Sequence, residues 1–362
     1  MISARGMATA AVVAMVMAMV MAACAGAASA DVFHMGPVLT SLEFASVGNP
    51  GYVGTNSGSV VYEYNMGKFE VTAGQYSQFL NAVAKADTYG LYNTSMDTTV
   101  NEYGCNITRT GSSGAYTYQV ASDWANRPVN YVSWGDAARF ANWLTNGQPA
   151  GAQDASTTED GSYYLNGTTS NAALLAVVRK NPDQGGRYYI PTEDEWRKAA
   201  YHKNDGVTGN YFNYPTGSDS LPNNDLINPD PGNNANFHYF TGSMSEADGF
   251  TIGSPYYRTP VGEFENSGSP YGTFDQGGNV WEWNEAIRWT QTPDGTYRAL
   301  LGGAFNDGGP FLSAAQLGVF FQPSGEFEHI GFRVSEVPEP ATMSLLALGG
   351  LGMLMRRRGL RR

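Results

Sequence analysis

The stretch TFDQGGNVWEWNEA, Thr273 to Ala286, sets a carboxylate and an amide (Asp275, Gln276) ahead of two glycines and then holds Glu282 between Trp281 and Trp283. An acid beside two tryptophans costs free energy if it is buried without a partner, so the first chemical question is what satisfies Glu282. The other reactive groups narrow the answer. Four scattered histidines (His34, His202, His238, His329) show no metal-ligand spacing, and H-E-x-x-H, G-x-S-x-G and Walker-type loops are missing. Of two cysteines, Cys24 falls in an apolar leader, which leaves Cys105 alone and no internal disulfide. The chain carries a formal charge of -12; setting aside Arg5 and the five arginines between 356 and 362 leaves 15 basic against 33 acidic residues, a charge of -18. That balance disfavours nucleic acid and anionic lipid as partners. It suits cations, calcium in particular, which is abundant outside cells.

The elements that must position these groups are short. Glycine (44), tyrosine (22) and tryptophan (7) are plentiful and long helical periods are few, which predicts short strands and ordered loops packed on aromatic side chains. YEYNMGKFEV (62–71) alternates as a strand. A helix follows from Thr72, with Gln75 at the capping-box position ahead of Tyr76, Phe79, Leu80 and Val83. A second starts at Ser133 with Asp136 three residues on, runs through Phe140, Ala141 and Leu144, and stops near Gly147. A third, PTEDEWRKAAY, has Thr192 as cap, Glu195 reaching back, and Arg197 and Lys198 later, in accord with the helix dipole. Between the second and third lies a polar, Gly/Ser/Thr-rich insertion with a strand expected at Ser162 to Leu165. The stretch from Asn204 to Asn236 is dense in Asn, Asp, Pro and Gly, and is either disordered or held by something specific.

The two ends read as export signals. Arg5 is the one charge in the first 30 residues; an apolar run and an A-x-A site ending at Ala30 follow, so a signal peptide over 1–30 is expected. A competing reading takes Met21 to Cys24 as a lipoprotein site. At the other end VPEP (337–340) leads into ATMSLLALGGLGMLM (341–355) and RRRGLRR. This resembles the PEP-CTERM family of bacterial sorting signals. The apolar run is shorter than the roughly 20 residues a helix needs to span a bilayer comfortably, which suits a transmembrane helix that anchors transiently through the C-terminal segment 337–362. The resemblance implies an exosortase-type processing enzyme as partner, and export to the cell envelope or extracellular matrix of a Gram-negative bacterium.

Six motifs then occur in order: GKFEVTAGQYSQFLNAV, RPVNYVSWGDAARFANWL, YYIPTEDEWRKAA, GGNVWEW, RALLGGAFND and GFRV. Together they resemble the formylglycine-generating enzyme, or sulfatase-modifying factor, family over about residues 62–335 of a domain spanning 31–336. The resemblance implies an α+β fold, a loop-rich variant of the C-type-lectin-like fold with little regular secondary structure. It also implies two Ca2+ sites: one from the amide oxygen of Asn236, the carbonyl of Phe237, the carboxylate of Asp248 and the carbonyl of Phe250; the other from Asp275, the carbonyls of Gly278 and Val280, and Glu282. Mixed carboxylate, amide and carbonyl oxygens are what calcium prefers. Where the family usually has Asn, this chain has Asp275.

At the catalytic positions the chain departs from the family, whose enzymes bind copper through two cysteines and oxidise a substrate cysteine. Aligning GGAFNDGGPFL places Asp307 at the first position and Leu312 at the second, and neither supplies the soft thiolate that copper(I) prefers. Copper is therefore not expected, and the arginines common downstream are missing from SAAQLGVFFQPSGEFEHIGFR. The expectation is a calcium-stabilised binding or structural module, exported and not catalytic, whose partner is an extracellular polysaccharide, a peptide or an envelope protein. Tyr256, Tyr257, Phe320 and Phe321 are candidate contact aromatics. The alternatives are an oxidoreductase of the formylglycine-generating type, or another enzyme on the same scaffold in which Asp307, His329 and Glu326 or Glu328 gather as an acid/base or metal cluster.

Overall fold

The computed structural model describes residues 40–51, 59–239, 249–289 and 296–338. The leader, the apolar C-terminal run and Asp248 lie outside them. Among the described residues helix accounts for 17% and strand for 19%, a loop-rich α+β fold.

The three helices begin where their caps predict. In α1 (Ala73–Val83) the Thr72 hydroxyl accepts from the Gln75 amide while the Gln75 side chain accepts from the Thr72 amide. Such reciprocal caps satisfy two donors that the helix itself cannot, each contributing about 1 kcal/mol. Ser133 and Asp136 do the same for α2 (Trp134–Thr145), and Thr192 and Glu195 for α4 (Glu193–Tyr201). The i, i+3, i+4, i+7 faces of α1 and α2 meet as rings: Phe79 lies 5.3 Å from Phe140 and 5.2 Å from Trp143, and Phe332 closes the stack at 5.4 Å from Phe140. Phe332 belongs to the GFRV motif, so this core ties the two ends of the domain together.

A short helix absent from the sequence reading, α3 (Asn171–Leu175), lies in the insertion. The strand expected at Ser162 to Leu165 is not formed; Tyr163 makes only an isolated bridge with Arg179. The reason is local. The Asn142 side chain donates to the Tyr163 carbonyl (2.9 Å) and accepts from its amide (2.8 Å), so an amide side chain replaces the neighbouring strand. The insertion is anchored by a buried pair in which Arg139 donates to both oxygens of Glu159, at 2.7 and 3.1 Å. The stretch from 204 to 236 is likewise held by specific bonds, among them those of Asp230 to Asn234 (2.7 Å) and Ser267 (2.7 Å).

Two four-stranded sheets carry the domain. The first orders β1 (Phe44–Val47), β2 (Tyr64–Gly67), β10 (Ser335–Glu336) and β5 (Tyr188–Tyr189), all antiparallel. The second orders β8 (Val319–Phe321), β7 (Thr296–Leu301), β6 (Trp281–Trp289) and β9 (Ile330–Gly331), with β6 and β9 parallel. A hairpin of β3 (Ile107–Thr110) and β4 (Thr117–Val120) stands apart. Because β9 and β10 flank Phe332 to Val334, the short segment between them bridges the two sheets, and Arg333 sits at that crossing.

Candidate functional site

The site grows from the alternation of β6, whose successive side chains face opposite ways. Trp283 turns into the helical core, where its indole donates to the Val132 carbonyl at 3.0 Å. Trp281 faces the same side, and its indole donates to the Asp307 carboxylate at 2.6 Å. Glu282 faces away from both, fully buried, and its partners are side chains. Arg333 donates through Nε to Oε2 at 2.6 Å and through Nη2 to Oε1 at 2.7 Å, and the Trp196 indole donates to Oε2 at 2.6 Å. Arg333 is itself 0% exposed and donates further to the carbonyls of Gly67 (2.9 Å) and Phe274 (2.9 Å). One guanidinium therefore stitches together β2, the 274 loop and β6.

Two more acids share this neighbourhood. Glu70, just past β2, is 1% exposed and neither of its carboxylate oxygens has a hydrogen-bond partner among the described residues. Burial pushes its carboxyl well above the usual range, and the charge of Asp275 adds to that. Asp275 adopts a left-handed conformation (φ 58°) and accepts from the Gly262 amide at 2.6 Å. Although the residue is partly exposed, its carboxyl is desolvated and pushed up to about 6.

Gly278 and Asn236 come together next to this cluster. Gly278 has φ +90°, and a Cβ there would sit 2.0 Å from the Asn236 carbonyl oxygen, so the position accepts only glycine. Asn279 fixes the approach: its amide donates to the Asn236 carbonyl (2.8 Å), while its side-chain oxygen accepts from Asn236 Nδ2 (2.7 Å) and the Thr259 amide (3.0 Å). The side-chain oxygen of Asn236 is left buried without a partner. The carbonyl of Phe237 accepts from Asn224 and Thr251, each at 3.2 Å, and Phe250 packs its ring 4.6 Å from His238. Val280 is buried against Gly331.

Of the residues expected to hold calcium, the structure sets Asn236 against Gly278 and Phe250 opposite His238, next to Phe237, and it commits the Glu282 carboxylate to Arg333 and Trp196. Among the described residues no three His, Cys, Asp or Glu side chains are arranged to hold a metal by themselves, so a calcium site here must draw on amide and carbonyl oxygens as well. The orphaned oxygens of Asn236 and Glu70 are hard donors of that kind, and the residues present fit calcium. Sequence reasoning did not assign Glu70, Asn279 or Arg333, although each lies in a quoted motif.

The positions aligned with the copper cysteines do not fit copper. The Asp307 carboxylate accepts from Trp281 and from the Ala304 amide (3.1 Å), and its carboxyl is raised by burial, an effect opposed by the Trp281 bond and the nearby His329. Leu312 is 0% exposed and packs with Phe237 and Ala235. Cys105 is buried in the helical core, where desolvation raises its thiol above the ordinary value. His329 stands 3.4 Å from Glu328 and 5.9 Å from the rings of both Phe321 and Phe327. Glu326 points elsewhere, to Asn93. Of the candidate contact aromatics, Tyr257 belongs to the core, whereas Tyr256, Phe320 and Phe321 are half-buried. Phe327 is 38% exposed beside Phe321.

A family model described as the sulfatase-modifying factor enzyme 1-like domain matches residues 36–337, and one described as the PEP-CTERM protein-sorting motif matches residues 336–358. No curated protein matches. Among solved structures, the chain is similar to CarF (21% identity, 83% of this chain and 100% of that one, TM-score 0.49). It is also similar to Treponema denticola variable protein 1 (18%, 82% and 95%, TM-score 0.44) and to PvdO from Pseudomonas aeruginosa (17%, 82% and 92%, TM-score 0.40).

Proposed function

The chain belongs to the sulfatase-modifying factor enzyme 1-like family, and from that membership we propose a calcium-stabilised binding module that has kept the family scaffold without its oxidation chemistry. The PEP-CTERM motif implies processing by an exosortase and sorting to the cell surface of a Gram-negative bacterium. The finer layout, with a signal peptide removed after Ala30, one domain to residue 336 and a sorting segment beyond, is part of the same proposal.

The observation that carries it is the fate of the two catalytic positions. Asp307 is tied to Trp281 and Ala304, and Leu312 fills the apolar space beside Phe237. Each side chain has a structural task, and neither offers copper(I) a soft donor. Calcium supports the same loops by drawing on Asn236 and the acids around Asp275. The half-exposed rings of Phe321 and Phe327 beside His329 offer the kind of face that stacks on sugars or on apolar side chains of an envelope protein. An array of matrix polysaccharides and surface proteins, probed with the calcium-loaded domain, tests this. Saturable binding that Phe327→Ala weakens supports the reading, and failure to bind any of them counts against it.

A further inference from the structure

Among the described residues, Glu70 is a buried carboxylate with no hydrogen-bond partner. A buried ionised group without a partner is strongly disfavoured, and a pair of orphaned oxygens on one side chain marks a missing partner of opposite charge. Among the described residues no cation is hydrogen-bonded to it. Arg333 is committed to Glu282 and to backbone carbonyls, and the ammonium of Lys68 lies against Glu43 at 3.1 Å. Backbone geometry brings the segment that carries Glu70 alongside the Asp275 loop. The Phe274 amide donates to the Lys68 carbonyl at 2.8 Å, and the rings of Phe69 and Phe274 stack at 5.6 Å, so the chain after β2 runs along the loop that carries Asp275. Counting charges, Glu70, Asp275 and Glu282 face one arginine, a deficit that a doubly charged ion neutralises. Asp275 also lines a small crevice with Thr216, Asn234, Ser267 and Gln276.

We propose that Glu70 is a calcium ligand at the Asp275 site and takes the part expected of Glu282, whose carboxylate is already spent on Arg333 and Trp196. This rests on the calcium reading above. Two carboxylates, Glu70 and Asp275, completed by carbonyl and water oxygens, meet the coordination that calcium needs.

The test compares the purified chain with Glu70→Gln by calcium titration calorimetry and by thermal melting, in calcium and in chelator. The wild type binds two ions. Glu70→Gln loses one site or weakens it by at least about tenfold, because losing a direct ligand costs no less than losing an outer-shell partner. In chelator the variant melts at or above the wild-type temperature, since the carboxyl it replaces has no hydrogen-bond partner there, while in calcium it melts lower. That reversal separates a ligand from a merely structural residue, which shifts both melts in the same direction. If the wild type binds two ions and Glu70→Gln binds both with unchanged affinity, the assignment of Glu70 is overturned while the calcium reading stands. If the wild type binds no calcium, both are overturned.

Discussion

Glu282 and Arg333 form the buried pair on which the two sheets converge, and their coupling is the most quantitative expectation the structure offers. Both are 0% exposed, and three hydrogen bonds of 2.6 to 2.7 Å converge on the carboxylate from Arg333 and Trp196. Breaking a buried pair from one side costs about 3–5 kcal/mol, because the surviving charge is left uncompensated. The two sides differ here. In Glu282→Gln the guanidinium keeps Asp275 and Glu70 nearby, which places the cost near about 3 kcal/mol. Arg333→Gln strands three carboxylates and also removes the bonds to Gly67 and Phe274, which places it at or above about 5 kcal/mol. The double variant leaves no lone arginine, so the pair shows a coupling energy of about 2–3 kcal/mol. Urea unfolding in chelator, followed by tryptophan fluorescence, measures all four corners of the cycle. Additivity within about 0.5 kcal/mol, or a Glu282→Gln cost below about 1 kcal/mol, refutes the assignment of Arg333 as the partner of Glu282.

Three further expectations follow from other parts of the molecule. Gly278→Ala forces a Cβ to within 2.0 Å of the Asn236 carbonyl at a positive φ, and it should cost at least about 3 kcal/mol in the same unfolding assay; a change below about 1 kcal/mol would show that the loop is free to move. The Glu326 carboxyl is pushed up to about 8 by burial and by the charge of Asp136. A carboxyl raised in the folded state stabilises while protonated, so stability is lost as pH climbs from the ordinary carboxylate range through about 8, and Glu326→Gln should flatten that loss between about pH 5 and pH 8. An unchanged slope in the urea midpoint would contradict the shift. Calcium at one hundred times its Kd should add about 2.7 kcal/mol per site, so chelation should lower the melting temperature by several degrees, and a melt unaffected by calcium or chelator removes the metal from the account.

The legible parts of the sequence were the local ones. All three capping boxes lie within four residues, and each formed as its residue types required. The pattern WEW announced an acid in need of a partner, but its partners lie 51 and 86 residues away in sequence, and no spacing rule reaches that far. Glu70 was equally silent, since an acid inside the alternating stretch 62–71 announces no partner until the 274 loop is laid beside it. The strand expected at Ser162 failed because Asn142, in a helix, could satisfy the same backbone groups. The alignment of Asp307 and Leu312 with the family's cysteine positions came directly from GGAFNDGGPFL, whereas the contacts those two side chains make required the structure.

The central proposal is a scaffold that does not oxidise cysteine. The direct measurement is to incubate the purified, copper-supplemented protein with a peptide carrying the sulfatase cysteine motif, in the presence of oxygen and reductant, and to follow the cysteine with an aldehyde-reactive probe and mass spectrometry. With Asp307 and Leu312 where the copper thiolates would stand, the peptide should remain unconverted at the level of a no-protein control. Formylglycine accumulating above that control, in proportion to added protein, would contradict the account.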